Sequence, residues 1–253
     1  MIEIPLALIG LAAFMVGLSK GGLVSISSLA VPVLAIWMDP ITAAALLLPI
    51  YLISDAVGVW LYRRDYSAWN LKLLIPAGLA GVVIGTLLEP LVPSSAFTIA
   101  VGLIGLAYCL RAWFITGRDG PARPADVPRG IFWGIMTGIA SFISHSGGPP
   151  WQTYVLPQKL PKLVFAGTTT IAFAAINLAK VPAYLSLGAL SHVDWQLTGL
   201  LAVAGILGTI CGRWAARAVS DRHYLNLIQG LLFVLSLRLI WQGGRDLIAL
   251  IGA

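Results

Sequence analysis

Two polar interruptions in an otherwise apolar chain hold the residues best suited to chemistry: Ser19-Lys20-Gly21-Gly22, and Ser144-His145-Ser146-Gly147-Gly148-Pro149-Pro150 followed by Gln152. Paired glycines lack Cβ atoms, so an oxyanion can come close to their backbone. A helix that starts at such a break exposes unpaired N–H groups carrying partial positive charge, which receive anions. Pro149 and Pro150 suit the first turn of a helix starting there, where a missing N–H is no loss. Ser19, Ser144, Ser146, His145 and Gln152 add polar contacts, and Lys20 adds a full positive charge. Asp55, Asn177 and Lys180 are the other polar residues within apolar runs that matter here; Asn177 and Lys180 share a helix face by i,i+3 spacing. These residues are candidates for binding a small anion, with Asp55 and His145 as candidates for proton coupling.

Each has a plainer reading. The glycines could serve only close helix packing. Lys20 could form a structural ion pair with Asp55, leaving Asp55 to balance charge instead of carrying a proton. Lys180 could snorkel to the interface. His145 titrates near neutral pH in principle, but a lone histidine also serves as a hydrogen-bonding spacer. Cys109 and Cys211 lie in apolar runs without CxxC or Cys/His spacing, so no metal, cofactor or disulfide is expected.

The elements that position these residues are membrane helices. The 253-residue chain is 58% hydrophobic and 10% charged, against about 25% charged for a soluble domain. About 20 apolar residues span a bilayer core, and six stretches qualify: 41–62, 71–88, 95–116, 163–185, 195–213 and 224–242. Residues 4–37 and 131–157 are apolar but broken at the two polar motifs, and each arm is too short to cross. Residues 1–18 lack a basic n-region and a small-residue cleavage pattern, so no removable signal peptide is expected.

The net charge of +6 does not indicate nucleic acid, because the basic residues sit in short loops. Arg63, Arg64 and Lys72 flank one loop. Arg111, Arg118, Arg123 and Arg129 mark a central linker, and Arg213, Arg217 and Arg222 mark another loop. All are expected to be cytoplasmic by the positive-inside rule. Asp39, Glu89 and Asp194 mark loops facing outward. This assignment makes both broken regions re-entrant and puts both termini in the periplasm.

The halves match at a shift of 122 to 127 residues: Gly21-Gly22 with Gly147-Gly148, Pro32 with Pro157, Asp55 with Asn177, Tyr62 with Tyr184, Trp69 with Trp195, and Gly85-Thr86 with Gly208-Thr209. Leu110-Arg111 likewise matches Leu237-Arg238, and orientation is the simplest role for those arginines. The expected organisation is an N-terminal repeat (1–116), a cytoplasmic linker (117–130) and a C-terminal repeat (131–253). The expected fold is an all-α integral membrane protein of two inverted-topology repeats, each with a broken re-entrant helical hairpin and three transmembrane helices. Such repeats place substrate near the midplane, at paired Gly/Pro-interrupted segments.

Gly17-Leu18-Ser19-Lys20-Gly21-Gly22, Val31-Pro32, Asp39-Pro40, Leu48-Pro49 and Asp55 resemble the N-terminal half of the TauE/SafE sulfite exporter family. The run from Ser144 to Gln158, with Gly167-Thr168, Asn177, Lys180 and Tyr184, resembles its second half more closely. The resemblance covers nearly the whole chain. It implies export of sulfite or a related sulfur oxyanion or organosulfonate across the bacterial inner membrane. An anion channel and an uptake permease on the same fold are the alternatives, and a homodimer is one option for assembly. Ser144, His145 and Ser146 are sequence neighbours without an acid or base partner from another helix, which argues against an intramembrane serine hydrolase.

Overall fold

A computed structural model describes residues 6–24, 26–30, 34, 40–88, 91–116, 121–144, 146–186 and 195–251. Its helices are α1 (Leu6–Lys20), α2 (Pro40–Tyr62), α3 (Ala68–Leu88), α4 (Ser94–Leu110), α5 (Val127–Ser144), α6 (Gly148–Val155), α7 (Lys162–Ser186), α8 (Trp195–Ala218) and α9 (Asp221–Ile251). Short 3-10 turns cover Ile26–Leu29 and Leu156–Gln158, and a π-helical turn, Arg111–Thr116, extends α4. The described residues include no strand.

Five of the six expected spans are helices long and apolar enough to cross a bilayer: Ala68–Leu88, Ser95–Phe114, Lys162–Pro182, Trp195–Ala218 and Asp221–Leu250. The sixth is the 23-residue α2, which at 1.5 Å per residue covers about 34 Å. Two boundaries move. α5 begins at Val127, inside the expected linker, and α8 carries Arg213 within the helix instead of in a loop. Pro32, Asp39, Glu89, Arg118, His145 and Asp194 lie outside the described residues.

The chain packs as two compact units, Met1–Ser67 with Lys162–Tyr224, and Ala68–Pro161 with Leu225–Ala253. Each draws segments from both sequence halves, so the repeats describe sequence similarity and the units describe packing.

In the first unit α1 and α8 run parallel at glycine-to-backbone distance. A Cβ on Gly17 would strike the Gly205 carbonyl, one on Gly21 the Thr209 carbonyl and Gly212, and one on Gly208 the Phe14 carbonyl. Without a hydrophobic force between helices in lipid, such close approach is what holds them together. α2 and α7 run antiparallel, with Asp55 beside Asn177, Gly58 beside Thr170 and Gly167 beside Tyr62. Ile9, Ala12, Ala13 and Val16 share a core with Ala30, Leu34, Leu47, Ile50 and Leu201, so the chain after the first break returns alongside α1.

In the second unit α3 and α5 are also parallel. Gly81 meets the Ile135 carbonyl and Gly138, Gly138 meets the Gly78 carbonyl, and Gly85 meets Ile139. Tyr154 on α6 donates its hydroxyl to the Asp126 carbonyl at 2.9 Å, just before α5 begins. α5 and α6 therefore form a hairpin that ends where it starts. Asn70 and Gln158 exchange amide hydrogen bonds at 2.8 and 3.2 Å, and the Arg123 N–H reaches the Pro157 carbonyl at 2.9 Å at this same end.

Candidate functional site: a buried charge relay

The first break ends α1 instead of starting a helix. Leu23 N–H bonds to the Leu18 carbonyl at 3.0 Å and Gly22 N–H to the Ser19 carbonyl at 3.2 Å, the two bonds of a Schellman cap. Gly22 has φ +127°, a conformation open to glycine and costly for other residues. Gly21 N–H bonds to the Gly17 carbonyl at 2.9 Å. The expectation of open N–H donors at Gly21-Gly22 is thus corrected: both amides are consumed in closing the helix, and this end presents carbonyls.

Those carbonyls are met by hydroxyls from distant segments. Thr170 on α7 donates to the Lys20 carbonyl at 3.0 Å, Tyr62 on α2 to the Gly21 carbonyl, and Tyr224 at the start of α9 to the Gly22 carbonyl at 2.6 Å. Ser19 is buried and accepts from the Ser27 hydroxyl at 3.0 Å, and Tyr51 donates to the Ser27 carbonyl at 3.1 Å. Sequence reading gave the hydroxyls of Tyr62, Thr170 and Tyr224 no role at the site. These three lie 41 to 202 residues from the carbonyls they meet, and a tyrosine at a helix end reads as an interfacial anchor.

Fixed in this way, Lys20 points inward. Its Nζ sits 2.7 Å from Asp55 Oδ1, with the Tyr51 and Phe173 ring centroids at 5.2 and 5.9 Å. Asp55 Oδ2 accepts from Asn177 Nδ2 at 2.7 Å, and Asn177 Oδ1 accepts from Lys180 Nζ at 3.3 Å. The result is a linear relay, Lys20–Asp55–Asn177–Lys180, in which the asparagine joins a carboxylate to a second ammonium. Lys20 is 5% exposed and Lys180 3%, so Lys180 is turned into the protein and does not snorkel outward. Among the described residues Lys180 forms no ion pair. The relay thus joins two lysine side chains to one aspartate.

The basic loops gather at one end of this unit. Arg213 Nη2 pairs with Asp65 Oδ2 at 2.8 Å, and Lys162 Nζ reaches the Arg217 and Val219 carbonyls and lies 3.6 Å from Asp221.

In the second unit, Gly147 is the N-cap of α6 and the prolines fall in its first turn, the position expected from sequence. Ser146 N–H goes to the Ala140 carbonyl at 3.2 Å and Trp151 N–H to the Gly147 carbonyl at 3.3 Å. Since Pro149 and Pro150 have no N–H, the Gly147 and Gly148 amides remain as this terminus's donors. Gly148, Ser146 and Gln152 are buried.

Long apolar helices with lysines and a carboxylate buried among them define a multi-pass helical membrane protein that carries charge inside its packed interior. The sequence profile of the family described as sulfite exporter TauE/SafE matches residues 8–239, and the chain belongs to that family of membrane transporters. No curated protein and no solved structure matches the chain.

Proposed function

We propose that the protein exports sulfite or a related small sulfur oxyanion or organosulfonate across the bacterial inner membrane, and that Lys180, supported by the Lys20–Asp55–Asn177 relay, receives the anion's charge. The observation that carries this reading is the make-up of the relay: two buried lysine side chains, one paired with Asp55 and the other joined to it only through Asn177. A buried unbalanced charge is costly, and a bound anion offsets that cost. Asn177 can turn its amide between Asp55 and an anion oxygen. In the second unit, the Gly147 and Gly148 amides with Ser146 and Gln152 are proposed as anion contacts in their own right, the helix terminus favouring negative charge.

The inverted repeat is part of this proposal and has support in the packing. α1 lies parallel to α8, and its counterpart α5 lies parallel to α3, the counterpart of α8. The two glycine stripes, Gly78, Gly81, Gly85 and Gly205, Gly208, Gly212, have identical spacing. That register matches Gly81, and not Gly85, with Gly208. The antiparallel α2–α7 pair fits opposite orientations of the two halves. Gathering of Arg213, Asp65 and Lys162 at one end supports a shared cytoplasmic face there.

Outward movement of an anion is favoured by the membrane potential, about 2.3 kcal/mol per charge per 100 mV. Proton coupling through Asp55 or His145 is a further proposal within the same reading. The test is counterflow in proteoliposomes against sulfite, sulfate, thiosulfate, sulfoacetate and taurine. Saturable exchange of sulfite or a sulfonate is expected, abolished or strongly reduced in Lys180→Gln. Ohmic single-channel currents would replace the carrier by a channel, and full exchange in Lys180→Gln would remove the relay from the site.

A further inference from the structure

At the basic end of the first unit a cavity of about 370 Å³ is lined by Arg63, Arg64, Arg213 and Arg217 together with Asp65, Trp60 and Leu61. We propose that it is a second oxyanion-binding site, separate from the Lys20–Lys180 relay. Its ligand is a small tetrahedral or pyramidal oxyanion, either free or as the phosphate of a lipid headgroup.

Four guanidinium groups face one carboxylate, and the individual bonds show which donors remain. Asp65 is taken by Arg213 Nη2 at 2.8 Å. Arg63 gives Nη1 to the Trp60 carbonyl at 2.8 Å and lies 4.7 Å from the centroid of the Trp60 ring. Arg213 is 7% exposed, and its Nη1 makes no hydrogen bond among the described residues. A buried donor without a partner costs about 1–3 kcal/mol, more for a charged group. Arg213 lines the cavity together with Trp60, Leu61, Asp65 and three further arginines, Arg63, Arg64 and Arg217. Arg217 sits one turn beyond Arg213 on the same face of α8, and with Arg64 it is exposed and able to swing over a bound ion. The guanidinium fork matches two oxygens of one anion, which a lysine's point charge does not.

The site also has a physical connection to the relay. The Arg213 guanidinium lies 4.2 Å from the Tyr62 ring centroid, and the Tyr62 hydroxyl holds the Gly21 carbonyl, the residue after Lys20. Tyr62 and Asp55 are seven residues apart on α2, about 10 Å along its axis. Resting on the transport reading, the site's role is to dock substrate at the cytoplasmic face before it reaches Lys180.

The experiment titrates sulfite by calorimetry into protein held in phosphatidylcholine nanodiscs, alongside efflux kinetics in liposomes. Wild type is expected to show two binding steps. Arg64→Gln/Arg217→Gln, at exposed positions outside the Arg213–Asp65 pair, removes one step and raises the half-saturating sulfite concentration about tenfold with the maximal rate unchanged. Arg217→Lys alone gives an intermediate result. Lys180→Gln removes the other step. If a lipid headgroup is the ligand, phosphatidylglycerol in the nanodisc suppresses the arginine-dependent step, and wild type retains that lipid through delipidation while the double variant loses it. A double variant with both sulfite steps intact and unchanged lipid retention overturns the proposal and leaves the relay standing. A Lys180→Gln protein with both steps intact does the reverse.

Discussion

At Lys20 and Asp55 each side chain makes the other's burial tolerable. Lys20→Met leaves the Asp55 carboxylate facing Asn177 without its 2.7 Å partner, and breaking a buried pair from one side costs about 3–5 kcal/mol. Lys20→Met/Asp55→Asn removes both charges and is expected to recover most of that stability without recovering transport. Thermal unfolding in detergent and sulfite efflux, measured on the same preparations, separate the two effects. At Lys180 the expectation differs, because Gln keeps a donor toward Asn177 and loses only the charge that no described carboxylate balances. Stability should change by less than about 1 kcal/mol, while efflux at low sulfite falls at least about tenfold. Equal losses of stability for Lys180→Gln and Lys20→Met would make the relay a structural device only.

Between helices, fit is decided by the absence of side-chain atoms. Gly17 and Gly138 each face a carbonyl of the neighbouring helix, and backbone cannot rotate aside as a side chain can. Gly17→Val and Gly138→Val are therefore expected to cost about 3 kcal/mol or more and to lower the yield of folded protein. Gly10→Ala and Gly199→Ala are the matched controls, since a Cβ there meets nothing within 4 Å. Both should be neutral or stabilising by about 0.5–1 kcal/mol, the usual helix preference for alanine. The break after α1 follows the same logic: at φ +127° Gly22 sets the cap, and the cap turns Lys20 inward.

Across the whole molecule, charge placement and helix direction make the same claim about orientation. Leu6 begins α1, far from the Gly21 end, while Tyr66 in the α2–α3 loop and Arg222 in the first turn of α9 lie at the basic end of the first unit. In a Cys109→Ala/Cys211→Ser background, Tyr66→Cys and Arg222→Cys should react with an impermeant thiol reagent from the cytoplasmic side only. Leu6→Cys should react from the opposite side only. Labelling of all three from one side would refute the inverted arrangement.

The sequence alone determined what depends on composition and local chemistry. Long apolar runs gave the spans, the Gly-Gly breaks gave the interruptions, and Pro149-Pro150 marked the start of α6, because bilayer thickness and backbone constraint act on contiguous residues. Motif likeness gave the family, which the match over residues 8–239 shows. Only the tertiary structure decided which glycine pair closes a helix and which ions met. Gly21-Gly22 and Gly147-Gly148 look alike in sequence, yet one closes a helix through bonds to Gly17 and Ser19 while the other opens one. Arg213 reads as a loop marker until Asp65, 148 residues away, draws it inward. Asn177 becomes a bridge between charges only once α7 lies antiparallel to α2. Hydrogen bonds and ion pairs act over about 3 Å of space, and chain separation carries no record of that distance.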